Sequence, residues 1–167
     1  MAILNLAQFQ FQTQPDPKIP GNTLVSVSPG ARALFHGGVV VDISIGLDKH
    51  SAEARRKARE LVPAPKIVKA LVDTGCNVTS VDHSVLSTLG LKTRGMVQTG
   101  TANGATTATQ HSVEIGFPGT QLRSYPLLFV SSVNLSGQPI QALIGRDILA
   151  QWVMVYNGPF ASVSISD

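Results

Sequence analysis

The sequence predicts an all-β, barrel-like chain, and three observations carry that reading. Val, Thr and Ser number 18, 12 and 15 among 167 residues; the first two favour strands and the third favours turns. Short apolar runs recur between Gly, Pro and Asn, the pattern of many brief strands joined by turns. Helical signals are confined to a few short stretches. The length suits one domain, since domains cluster near ~100–150 residues. Charged residues make up only 14% of the chain, against about 25% in an ordinary protein. With 43% apolar residues, that composition excludes disorder and fits a chain that hides surface in a partner. A single cysteine, Cys76, excludes an intrachain disulfide and any multi-cysteine zinc site.

Residues 1–36 read as an extended lead-in, punctuated by Pro15, Pro17, Pro20 and Gly21, with a weak edge strand at 23–28. The domain proper is expected over 37–167. Its first strong strand is 38–45, with Val39, Val41, Ile43 and Ile45 on one face and Gly46 ending it. A helix over 51–62 follows, with Ser51 as N-cap and Pro63 and Pro65 as stops. Its apolar stripe is thin, so most of it should be solvated. Residues 66–72 return to strand. A short helix is expected at 82–89, with Val85, Leu86 and Leu89 inward and Gly90 as its stop. Residues 96–117 read as a β-hairpin around Asn103-Gly104, a type I′ turn signal because both central residues need positive φ. Strands at 126–133 and 140–144, a short helix at 147–152, and strands at 153–156 and 160–165 complete the list.

Charge is concentrated. Lys49, Arg55, Arg56, Lys57, Arg59, Lys66 and Lys69 hold seven of the 13 basic residues, opposed locally by Glu53 and Glu60 alone. The stretch 48–66 therefore reads as a basic helical insertion. It lacks interleaved aromatics and any nucleic-acid-binding motif, so no nucleic acid is expected as a partner. Residues 1–14 lack the basic and apolar regions of a signal peptide, and no apolar run approaches the ~18–20 residues a membrane span needs. No membrane contact and a cytoplasmic location are expected.

The chemistry concentrates at 70–77, Ala-Leu-Val-Asp-Thr-Gly-Cys-Asn. An aspartate at the end of an apolar strand, followed by a hydroxyl residue and a glycine, leaves a carboxylate in a constrained turn. By itself this reads equally as a strand-ending cap. A second piece changes the weight: another apolar strand, 140–144, runs into Gly145-Arg146-Asp147 and then a helix.

These pieces, in this order and with a Gly-containing hairpin between them, resemble the retroviral-type (retropepsin-like) aspartic proteases over 37–165, and the cellular, bacterial-type members more than the viral ones. The resemblance implies a closed β-barrel of the acid-protease fold, with a flap hairpin at 97–115, a short C-terminal helix and a dimer sheet near 160–165. It implies a homodimeric endopeptidase acting on polypeptide. Asp73, Thr74 and Gly75 would form the catalytic loop, Cys76 and Asn77 would contact substrate, and flap-tip residues Ala102, Asn103 and Gly104 would offer it backbone N–H groups. Gly145, Arg146 and Asp147 would be structural. Peptide hydrolysis by activated water needs one carboxylate to take the water proton and a second, protonated, to hold the carbonyl. With one Asp-Thr-Gly per chain, the second must come from another copy. Neither a metal nor another cofactor is expected: His36, His50, His83 and His111 show no ligand spacing.

Two positions depart from the family pattern. Cys76 replaces a usual Ala or Ser. Asn77 replaces an acidic residue that pairs with the arginine of Gly-Arg-Asp, which leaves Arg146 to look to Asp147 or elsewhere. Two readings compete with catalysis by paired Asp73. One is a non-catalytic dimerisation or peptide-binding module of the same fold. The other pairs Cys76 with His83 or His111 as thiol and base; no orienting third group supports it, and a small buried cysteine is the plainer reading.

Overall fold

Strand follows strand along this chain. The computed structural model describes residues 3–6, 12–15, 23–26, 34–101 and 104–167. In the lead-in, β2 (Gln12–Pro15) pairs antiparallel with β3 (Thr23–Ser26), while β1 (Ile3–Leu6) lies along the far end of the chain. A helical turn at 34–37 precedes the first barrel strand, β4 (Val40–Leu47).

The expected alternation holds: Val39, Val41, Ile43 and Ile45 are all buried. The strand nonetheless continues through Gly46 to Leu47, because β4 leaves one neighbour for another there. Its first half pairs with β5 (Lys66–Val72) and its second half with β8 (Gly104–Gly116). The ladder hydrogen bonds of β8 carry the backbone past the glycine.

Between β4 and β5 stands α1 (Lys49–Lys57), shorter than the sequence suggests and capped one turn earlier. Asp48 is the N-cap: its carboxylate accepts from the Ser51 amide at 3.1 Å and the Ser51 hydroxyl at 2.6 Å. Asp48 is 1% exposed, and the bonds from Ser51 and from the Ser112 hydroxyl at 2.9 Å hold its carboxylate there, facing the helix's unpaired amides. The helix stops at Ala58, with Arg59 at φ +58, well before Pro63. Ala52 is its one buried residue, so the solvated helix is as expected.

The strand β6 (Ser80–Asp82), too short to read from the sequence, leads into α2 (His83–Thr88). Asp82 caps this helix, Val85, Leu86 and Leu89 point inward, and Gly90 follows at φ +60. Next come β7 (Gly95–Thr101), β8, β9 (Tyr125–Val133), β10 (Ala142–Ile144), the single turn α3 (Arg146–Leu149), β11 (Val153–Asn157) and β12 (Ser162–Ser166).

Six strands close a ring in the order β4, β5, β10, β6, β9, β8 and back to β4. Closure removes the open edges that a flat sheet would expose. Ile43, Ile45, Val81, Val113, Ile115, Val130 and Ile144 are fully buried in one core, with Ile148 of α3 and Ile165 of β12 in the same cluster. β7 lies outside the ring on β8, with Thr101 opposite Gly104. That register puts Gly104 (φ +109) at the start of a strand, not at the turn centre. Ala102 and Asn103 lie outside the described residues.

The remaining sheet has the order β1-β12-β11. β12, where the sequence points to a dimer sheet, is its middle strand and has both edges paired within the chain. Four of the exposed large apolar side chains lie beside it: Val153, Val155 and Tyr156 on β11, and Phe160 in the turn after it; others, such as Ile67 of β5, Met96 of β7 and Phe129 of β9, lie elsewhere. Among the described residues no helix is long and apolar enough to cross a membrane.

Candidate active site

β5 and β6 follow one another in sequence but do not pair; β10, about seventy residues later, runs between them. It is parallel to β5, with Leu71 opposite Leu143 and Val72 opposite Ile144, and antiparallel to β6. The loop 73–79 must therefore pass over the end of β10, which brings Asp73 and Gly145 together from distant parts of the chain. The Asp73 amide donates to the Ile144 carbonyl at 3.0 Å.

The carboxylate of Asp73 is half-buried. Its Oδ1 accepts from the Gly75 amide at 2.8 Å, and its backbone carbonyl accepts from the Cys76 amide at 3.2 Å. Asp73 Oδ2 has no hydrogen-bond partner among the described residues. A Cβ on Gly75 would come 3.1 Å from Asp73 Oδ1, so the glycine keeps that oxygen close to the amide. Thr74 and Gly75 are exposed.

The 145–147 segment locks the loop from below. Its backbone amides reach back, Arg146 to the Cys76 carbonyl at 2.9 Å and Asp147 to the Asn77 carbonyl at 3.3 Å. The Arg146 guanidinium donates to the Thr74 carbonyl at 3.4 Å and to Asn77 Oδ1. Arg146 thus keeps position 77 as a partner, where the expectation was Asp147 or elsewhere, and its other acceptor is the Thr74 carbonyl. An amide oxygen accepts a hydrogen bond as a carboxylate does, with less charge assistance.

Asp147 is taken by Thr79, a residue the sequence reading passed over. Thr79 is fully buried; its amide donates to Asp147 Oδ2 at 2.9 Å and its hydroxyl to Oδ1 at 2.7 Å, while the same hydroxyl accepts from the Gly145 amide at 3.1 Å. The signal available for it was weak: a Thr-Ser pair between Val78 and Val81. Gly145 is demanded by contact: a Cβ there would lie 2.6 Å from the Val78 carbonyl carbon and 2.7 Å from the Thr79 nitrogen.

Cys76 is free and half-buried, with Sγ 2.9 Å from the Val78 carbonyl and 3.7 Å from the Ser80 hydroxyl. Neither His83 nor His111 bonds to it. His83 contacts Ser87 and Ser132, and His111 contacts Thr109. The structure does not assemble a thiol–imidazole pair. Gly104 lies on the β7–β8 hairpin at its exposed end.

Residues 66–148 match the family model described as aspartyl protease. Among solved structures, a retropepsin-like aspartic protease from Rickettsia conorii is similar at 11% sequence identity and a TM-score of 0.41, covering 77% of this chain and 95% of that one. No curated protein matches the chain. The family match spans β5 to α3, the stretch that holds both the Asp73 loop and the Gly145–Asp147 turn that supports it.

Proposed function

We propose that this chain, matched to the aspartyl proteases across residues 66–148, is one half of a homodimeric aspartic endopeptidase that hydrolyses polypeptide with water activated between two Asp73 carboxylates. The observation that carries the reading is the state of Asp73: one oxygen held by the Gly75 amide, the other without a hydrogen-bond partner among the described residues, in a loop tied down by Arg146 and Asp147. A carboxylate kept this way serves chemistry better than it serves as a strand cap.

One Asp73 is ionised and takes the proton of the attacking water; the other is protonated and donates to the scissile carbonyl, then the proton passes on to the leaving amine. Two carboxylates about 3 Å apart cannot both ionise, a rule for which aspartic proteases are themselves the usual illustration. Gly75 leaves room for the substrate backbone. Thr74, at the mouth of the loop, ties one catalytic loop to the other. Cys76 and Asn77 flank the substrate. The β7–β8 hairpin is the flap, with Ala102, Asn103 and Gly104 at its tip, and closing it excludes water. Dimerisation uses the exposed apolar side chains of β11, and the domain begins near residue 37. The low charge and the lone thiol fit a cytoplasmic protein without cofactor.

Asp73→Asn should lower peptide cleavage by at least 10²–10⁴-fold, the range for loss of a general acid–base group, while sedimentation shows the dimer intact. Undiminished cleavage by that variant would refute the assignment. Peptide affinity without turnover in the wild-type chain, from acidic to neutral pH, would favour the binding-module reading.

A further inference from the structure

The basic helix α1 has no part in the site around Asp73, yet it is not simply a solvated face. Between α1 and the segment that leads into β7 lies a cavity of about 400 Å³, lined by His50, Arg55, Glu60, Lys92, Arg94 and Ser112 among others. That volume is within the range of small-ligand sites. None of its lining residues belongs to the catalytic loop.

Its charge is lopsided. Arg55, Lys92 and Arg94 face it against the single exposed carboxylate of Glu60. Arg94 is partly spoken for: its Nε donates to the Ser112 hydroxyl at 3.0 Å, one Nη to the Ser51 hydroxyl at 3.1 Å, and it sits 3.9 Å from buried Asp48. Arg55 differs. Its guanidinium donates to two carbonyls, Leu61 at 3.2 Å and Gly90 at 2.9 Å, which fixes its position without neutralising it. Among the described residues neither Arg55 nor Lys92 is ion-paired. Gly90 makes room for this arrangement, since a Cβ there would come 2.9 Å from the Arg55 Nη2. A guanidinium held in place by neutral acceptors, facing a concave space with a second free cation, is a preorganised anion receptor.

We propose that this cavity binds a compact phosphate, free or as a monoester, between Arg55 and Lys92. The site bridges the insertion and the root of the flap: Leu91 to Arg94 run directly into β7, the Arg94 amide donates to the Gln110 carbonyl of β8 at 2.7 Å, and Ser112 lies on β8. A bound phosphate ties α1 to both strands of the hairpin. The concave shape selects a small anion over an extended polyanion, which would follow the solvated outer face of α1 instead.

The test is calorimetric titration of the full chain with inorganic phosphate and with glycerol 3-phosphate, at constant ionic strength to remove general screening. Saturable binding of one equivalent per chain is expected, weakened about tenfold in Arg55→Gln and in Lys92→Gln, as for loss of one charge-assisted contact. The tighter of the two anions identifies free or esterified phosphate as the occupant. The Lys92 side chain makes no hydrogen bond or ion pair among the described residues, so its variant decides the matter even where Arg55→Gln fails to fold. Absence of saturable binding for both anions, or unchanged affinity in Lys92→Gln, overturns the proposal. No peptide substrate enters the measurement, so it stands apart from the protease reading.

Discussion

At the scale of single residues, the Asp73 loop depends on atoms that are absent as much as on those present. Gly145 packs so closely under the loop that a methyl group would overlap the backbone of Val78 and Thr79 at 2.6 and 2.7 Å. Backbone cannot step aside as a flexible side chain can. Gly145→Ala should therefore destabilise the fold by about 1–3 kcal/mol or more, read as a lower urea midpoint, and should displace Asp73 in the same stroke. The Gly-Arg-Asp motif was legible in the sequence; its wiring was not. Asn77 in place of an acid suggested that Arg146 would turn elsewhere, but the backbone amides of Arg146 and Asp147 bond to the Cys76 and Asn77 carbonyls and fix the two segments side by side. With the backbones held, the side chain at 77 stays within reach of Arg146 whatever its charge. Asp147 is meanwhile occupied by three donors, from Thr79 and the Ile148 amide.

Among the elements, the β7–β8 hairpin carries a built-in sensitivity to acid. His111 of β8 is buried, with Nε2 3.1 Å from the Thr109 hydroxyl and Nδ1 without a hydrogen-bond partner among the described residues. Burial pushes its pKa below the ordinary value near 6.5, the nearby backbone of Lys92 opposes this, and the charge of His83 adds to it. The unfolded chain then binds the proton first, so stability is full above about pH 6.5 and falls as pH drops from there towards the folded-state value. Asp48 and Asp82 act in a lower window. For Asp48 burial raises the pKa, but bonds from Ser51 and Ser112 and the Arg94 charge outweigh it; for Asp82 the Ser84 hydroxyl leads the lowering. Their contributions are present above about pH 4 and are lost below it. Urea midpoints measured from about pH 7.5 to 3 should therefore decline in two stages. His111→Gln should remove the first stage and leave the second.

For the whole molecule, one small sheet gathers four exposed apolar side chains, while others such as Ile67, Met96 and Phe129 are spread over the ring and the hairpin. Val153 and Val155 are 67% and 58% exposed on β11, with Tyr156 and Phe160 about half exposed nearby. Grouped apolar exposure in a chain of low charge marks a surface meant for a partner. Val155→Asp should leave the folded monomer within about 0.5 kcal/mol of wild type, as exposed positions usually do. It should also shift sedimentation from dimer to monomer and abolish cleavage, because the second Asp73 is then missing. A monomeric wild-type chain at high concentration would refute the shared site.

The amino-acid sequence by itself determined the strand-rich class, the inward faces of β4 and α2, the Asp-Thr-Gly loop and the Gly-Arg-Asp turn. All of these are local: alternation, caps and turn residues act within a few positions, and a short motif carries its own spacing. Tertiary structure alone decided the rest. It extended β4 beyond its glycine by giving it a second neighbour, and it moved the cap of α1 to a buried aspartate. It inserted β10 between β5 and β6, and it turned Thr79 into the link between the two halves of the site. Each of these rests on which strand lies beside which. That is settled by closing one ring around one core, a contest among distant segments that no local stretch of residues records.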